Sequence, residues 1–104
     1  MLPKGGMSGM LKQAQKMQEK MVKAQEELSS LKVEGQSGGG MVTVVANGKK
    51  ELLSVIIESE ILKEDVEMVE DLFLSAANQA LNNATEAAER KMNSITGGMK
   101  IPGL

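Results

Sequence analysis

Lys12, Lys16, Lys20 and Lys23 recur at intervals of three and four residues near the start of the chain. A lysine ammonium is a hydrated point charge with three donors and no planar fork. It therefore suits contact with successive phosphates better than bidentate reading of a base. At 100° per residue the four lysines fall within a wedge of about 80°. A second pattern is written on the same stretch. Met7, Met10, Ala14, Met17, Met21, Ala24, Leu28 and Leu31 keep the alternating three-and-four spacing of a heptad seam. The lysine wedge is centred about 125° from that seam, so the charges stay in water when the seam is packed. The candidate ligand of such a face is a polyanion. Taken alone, such a stripe is more often a plain solvated helix face, so the rest of the chain has to decide.

Other chemistry is excluded by residue type. The 104 residues contain no Cys and no His, which removes disulfides, thiol chemistry, an imidazole base and the common zinc sites. Without His, Cys or an activated Lys, Ser and Thr have no base to make them nucleophiles, so no enzyme is expected. Gly38, Gly39 and Gly40 precede a strand and not a helix, unlike a phosphate-binding loop. Glu67, Glu70 and Asp71 have no companion ligand that would select a metal. No cofactor, metal or small-molecule substrate follows from these residues. With one Phe and no Trp or Tyr, stacking of unpaired bases has no platform. The apolar runs are too short to span a bilayer, the opening MLPKGGMSGML lacks a secretory hydrophobic stretch, and no Trp or Phe anchor stands beside the lysines for membrane-surface binding. A cytoplasmic location is expected.

The net charge of −2 conceals a strong asymmetry. Residues 1–25 hold five lysines against Glu19, whereas residues 58–72 hold seven carboxylates against Lys63. From Arg90 onward, Arg90, Lys91 and Lys100 stand without an acid. Both ends are basic and the middle is acidic, a distribution that says more about partners than the sum does.

The elements that must position these charges read as helix, three strands, helix. Ser8 is a candidate N-cap for a first helix running to Leu31. Lys32 to Ser37, Met41 to Ala46 and Lys50 to Ile57 read as an antiparallel meander, with Asn47-Gly48 as a two-residue type I′ turn. Val42, Val44, Leu53, Val55 and Ile57 suggest one buried face. Val45, Leu52 and Ile56 imply that the other face is partly covered as well, by the helices or by a second copy. Asp65 caps a second helix ending near Ile95, whose acidic first turns suit the helix dipole. Its stripe of Val69, Phe73, Ala76, Ala77, Ala80, Ala84, Ala87 and Ala88 would let another helix approach closely. Residues 1–104 form one α+β domain, with 1–7 and 97–104 as flexible tails. A core this small favours association with a second copy.

If the two long helices pair antiparallel, their outer ends meet about 35–45 Å from the sheet. Lys4, Lys12 and Lys16 would then lie near Arg90, Lys91 and Lys100, at the end opposite the acids.

The stretches GMLKQAQKMQEKMVKAQEELSSLKVEGQSGGGMVTVVANG, SVIIESEILKEDVEMVEDLFLSAANQA and KMNSITGGM resemble the YbaB/EbfC family of bacterial nucleoid-associated proteins, over nearly the whole chain. The resemblance implies an α-β-β-β-α protomer, a homodimer joined through its sheets, and helical arms that grip double-stranded DNA like tweezers. It further implies a place in the nucleoid, organising DNA and adjusting gene expression. The residues expected to meet DNA are Lys4, Lys12, Lys16, Lys20, Lys23, Arg90, Lys91 and Lys100, through phosphates and with little sequence preference. The alternative is a protein-binding adaptor or small chaperone that holds a partner helix in its methionine-rich arms.

Overall fold

A computed structural model describes residues 4–96, with side chains from 8 to 95. The order is α1 (Lys4–Ser30), β1 (Lys32–Ser37), β2 (Val42–Asn47), β3 (Leu52–Ile57) and α2 (Val66–Thr96), with short 3-10 turns at Gly38–Gly40 and Ser59–Lys63. The strands form one antiparallel sheet in the order β1-β2-β3, so the expected α-β-β-β-α architecture is present. Of the expected tails, 1–3 and 97–104 lie outside the described residues, whereas 4–7 belong to α1. The helix therefore starts at Lys4 and not near Ser8. Gly5 and Gly6 are carried inside it, since the roughly 1 kcal/mol each costs is a weak local preference against a long helix. Asp65 caps α2 as expected, its Oδ1 accepting the Met68 amide at 2.9 Å.

α2 lies across β1 and β2. Gly35 of β1 is the point of closest approach: a Cβ there would sit 2.9 Å from the Ala80 Cα and nearer still to the Ala76 carbonyl and the Ala80 amide. The alanine stripe thus packs backbone against backbone. Val42, Val44, Ala46, Ala76, Ala80 and Ala84 are fully buried there, and Val42 and Val44 are the largest side chains so enclosed. That core is thin.

Two details of the sheet differ from expectation. Asn47-Gly48 does not make a two-residue type I′ turn. The loop is Gly48-Lys49-Lys50, with the Lys50 amide bonded to the Asn47 carbonyl at 3.1 Å and Lys50 in the left-handed region at φ 64, a three-residue turn of the bulged kind. Its causes are tertiary and local together. The Gly48 amide donates to the Leu28 carbonyl at the end of α1, 2.8 Å away, while the Asn47 Oδ1 accepts the amides of Lys49 and Glu51. The second difference is that Leu53, Val55 and Ile57 are not buried. Val42 pairs with Ile57 and Val44 with Val55, so β3 continues the core face, but α2 does not reach it and every β3 residue is exposed.

The molecule measures 76 × 18 × 17 Å, with a radius of gyration of 20.3 Å, against about 13 Å for a compact domain of this length.

Candidate nucleic-acid interface

The elongation comes from α1. Its 27 residues span about 40 Å, and only its last turns touch the rest of the protomer. Ala24 and Leu28 are buried, Met21 and Leu31 half-buried, and the seam then emerges into solvent: Ala14 is exposed, Met17 is 41% and Met10 68% accessible. The side chain of Met7 lies outside those described.

Lys12, Lys16, Lys20 and Lys23 are all exposed on this projecting arm. Among the described residues the ion pair formed is Lys91 with Glu27, Nζ to Oε2 at 3.7 Å. The four arm lysines hold no carboxylate at that range, so their charge is available to an outside anion. Lys4 opens α1, its side chain not among those described, and Lys100 lies outside the described residues.

Arg90 and Lys91 do not meet Lys12 and Lys16 at a common tip. Lys91 is fixed beside Glu27 and lines a shallow groove with Lys23, Glu26, Glu27, Ser30 and Leu31. Lys12 is fifteen residues upstream of Glu27, about 22 Å along the helix axis. The reason is how α2 spends its length. Ser37 bonds the Leu72 carbonyl, and Asn83 Nδ2 bonds the Glu34 carbonyl at 2.8 Å, so residues 72–83 are occupied in covering β1. Only the stretch beyond them remains to run antiparallel to α1, and it reaches the base of the arm. Arg90 and Lys91 are root residues. Lys23 and Lys91 face Glu26 and Glu27 there, a mixed-charge surface, whereas the outer arm from Ser8 to Lys23 carries four lysines against Glu19.

Two further lysines join the root. The Gly48–Leu28 hydrogen bond seats the hairpin against α1, bringing the exposed Lys49 and Lys50 to this end of the sheet. Nothing in their spacing announces it, because the contact is made through backbone atoms. The acids sit at the other end: the Glu58 amide bonds the Met41 carbonyl, and Ser59–Lys63 leads into the start of α2 beside Ser37. Roughly 30 Å of strand and helix separates them from Lys23, several Debye lengths at physiological salt.

Sequence reading also missed Gln79 and Asn83. One turn apart on α2, they bond the Gln36 amide and the Glu34 carbonyl, the outward-facing groups of edge strand β1. The signal was an amide pair at i and i+4 flanking the alanine stripe. Two outward groups of β1 are thereby already bonded, which weakens that edge as a site for strand pairing.

An α+β scaffold that projects a lysine-striped helix into solvent, with no ion pair on its four lysines among the described residues, belongs to the class of polyanion-binding proteins. The YbaB/EbfC DNA-binding family matches residues 4–99, and the chain belongs to that family, one of DNA-binding proteins and not of enzymes. It is 56% identical to a nucleoid-associated protein of Caldanaerobacter subterraneus and 53% identical to one of Thermoanaerobacter pseudethanolicus, each alignment covering 99% of both chains. It is 50% identical to a nucleoid-associated protein of Pelotomaculum thermopropionicum over 96% of each. The crystal structure of an uncharacterised protein from Helicobacter pylori matches with a TM-score of 0.64 and 26% identity, covering 95% of this chain and 98% of that one. Among the described residues no helix is long and apolar enough to cross a membrane.

Proposed function

We propose that this protein is a homodimeric, nucleoid-associated DNA-binding protein that grips duplex DNA through phosphates, with little sequence preference, altering DNA conformation and thereby nucleoid organisation and gene expression. The single observation that carries this reading is the α1 arm, whose Lys12, Lys16, Lys20 and Lys23 are exposed and form no ion pair among the described residues. Arg90 and Lys91 contribute at the arm's root, and Lys4 and Lys100 complete the set of cations assigned to DNA. The names of the relatives, all nucleoid-associated proteins, support the same reading. Lysines favour phosphate contacts over base edges, so the protein positions itself on the backbone.

The dimer reading rests on what a protomer leaves uncovered. Leu52, Leu53, Val55, Ile56 and Ile57 are exposed on β3, and Leu74 is exposed on α2. An apolar surface of this kind marks an interface, and two copies joined there would supply the core that one thin protomer lacks.

A duplex titration across ionic strength tests the DNA reading. Phosphate-led binding loses affinity with a log–log slope of about −0.9 per phosphate neutralised. Affinity that is unchanged by salt, or that is lost on a single base-pair change, contradicts it.

A further inference from the structure

We propose that the open half of the α1 seam is a contact between dimers, where the arm of a second copy lies antiparallel along it. The inner part of the same apolar row is already an interface within the protomer, since Ala24 and Leu28 are buried at the root where Lys91 of α2 meets Glu27. α2 ends short of the arm's outer half. With Lys91 against Glu27 and the helices antiparallel, Thr96 comes level with about Val22 at equal rise per residue. Beyond that level Met17, Ala14 and Met10 are exposed, and they keep the three-and-four spacing that one helix offers to another.

The flanks of the open seam select the occupant. Gln13 and Gln18 stand one on each side, about 70° from its centre, while Lys12, Lys16 and Lys23 point away on the far side of the helix. Lysines beside the seam would repel a second copy, whereas neutral amides admit it. In an antiparallel pair centred near residue 12, Met10 of each arm meets Ala14 of the other, a large side chain against a small one. Gln13 then meets Gln13, and Lys20, the lysine nearest the seam, comes opposite Gly6 and no other cation. A parallel pair in register would set Ala14 on Ala14 and leave a gap between methionine layers. The tip of the second arm, at Lys4, reaches about the level of Lys20, just short of the end of α2.

The molecule is 76 Å long and 18 × 17 Å across, so its body lies in line with the arm and not beside it. Paired arms therefore hold the two roots roughly 55 Å apart, and two copies joined through β3 cannot also join through their arms. The contact links one dimer to the next. A two-fold axis normal to the pair keeps both lysine wedges on one side, so linked arms offer a single broadened lysine face and neighbouring dimers coat one duplex side by side. That consequence rests on the DNA-binding reading, whereas the arm contact does not. Because each arm is basic, the contact strengthens as salt screens the lysines, the reverse of phosphate-led DNA binding. The opposite sign keeps a failure of one distinguishable from a failure of the other.

The chain has no Cys, so single cysteines report the contact in DNA-free protein at high salt. Positions 10 and 14 are exposed, and a cysteine at either spares the protomer's packing. The expected result is that Met10→Cys mixed with a size-tagged Ala14→Cys forms a mixed interchain disulfide several-fold faster than either variant bonds to itself, and faster than Glu19→Cys on the opposite face. Adding Val55→Lys to both chains should leave the mixed bond in place. Met10→Cys bonding fastest to itself would overturn the antiparallel pair, and loss of the mixed bond with Val55→Lys would move the contact inside one dimer. Thiols that stay reduced would mean that an acidic helix or another occupant, and no second copy, takes the seam. On DNA, Met10→Gln with Ala14→Gln, a change without charge, should abolish cooperative filling of a long duplex while keeping the affinity for one that holds a single dimer. Cooperativity retained in that variant would also overturn the contact.

Discussion

Lys91 Nζ stands 3.7 Å from the Glu27 carboxylate, and that pair marks where two long helices stop sharing their length. Both groups are partly exposed, so the pair contributes no more than about 1 kcal/mol. Its value is positional, and it also compensates one of the cations at the root of the arm.

The first prediction contrasts that lysine with one on the open arm. Lys16→Gln should reduce the salt slope of DNA binding by about 0.9, one phosphate contact. Lys91→Gln should change the slope by less, because its charge is already matched by Glu27. Anisotropy titrations at several salt concentrations measure both, and equal slope changes would show that Lys91 serves DNA as directly as the arm does.

Gly35→Ala should be among the most damaging single changes in the chain. The added Cβ meets helix backbone and not a side chain that can swing aside, so α2 must lift off the sheet and open the space around Val44. A loss of about 3 kcal/mol or more, at the upper end for overpacking, is expected in denaturant unfolding. A loss below about 1 kcal/mol would mean that α2 shifts freely over β1.

How much of this was legible in the sequence depends on the range of the cause. The Lys32–Ser37 strand and the Asp65 cap were readable because each is set by residues within a turn of itself. The hairpin was misread because the Gly48 amide answers to Leu28, twenty positions away, which no dipeptide rule contains. The meeting of Lys12 with Arg90 was misread for a similar reason: the overlap of the helices is whatever α2 has left after covering β1, a length fixed by tertiary packing at Gly35. The lysine stripe itself was fully readable, since periodicity alone places it opposite the seam.

Lys50→Gly should stabilise the protein. Lys50 holds a left-handed backbone at φ 64 in a turn position that favours glycine, so a gain of about 0.5–1 kcal/mol is expected after the added chain entropy of glycine in the unfolded state. Chemical denaturation checks it. Because Lys50 also stands at the root of the arm, the same variant should bind DNA slightly less tightly, and a stabilised variant with unchanged affinity would remove Lys50 from the interface.

Val55→Lys tests the surface assigned to dimerisation. Val55 pairs with buried Val44 on the core-facing side of the sheet, yet it is 42% accessible because α2 stops short of β3. A lysine there can reach solvent in the isolated protomer, so the substitution spares the protomer's own packing and penalises only a partner that would bury it. Sedimentation should show the parent as a dimer and the variant as a monomer at the same micromolar concentration. Glu34→Lys, on the edge strand whose outward groups are bonded by Gln79 and Asn83, should leave the parent's assembly intact. DNA affinity should follow the assembly: two arms on one frame bind with an effective concentration for the second arm in the millimolar range, so the Val55→Lys monomer should bind duplex about a hundredfold more weakly with every arm lysine still in place. If Val55→Lys remained dimeric and Glu34→Lys did not, the interface would lie at β1, and the amide pair on α2 would be holding that strand in place for a partner and not closing it off.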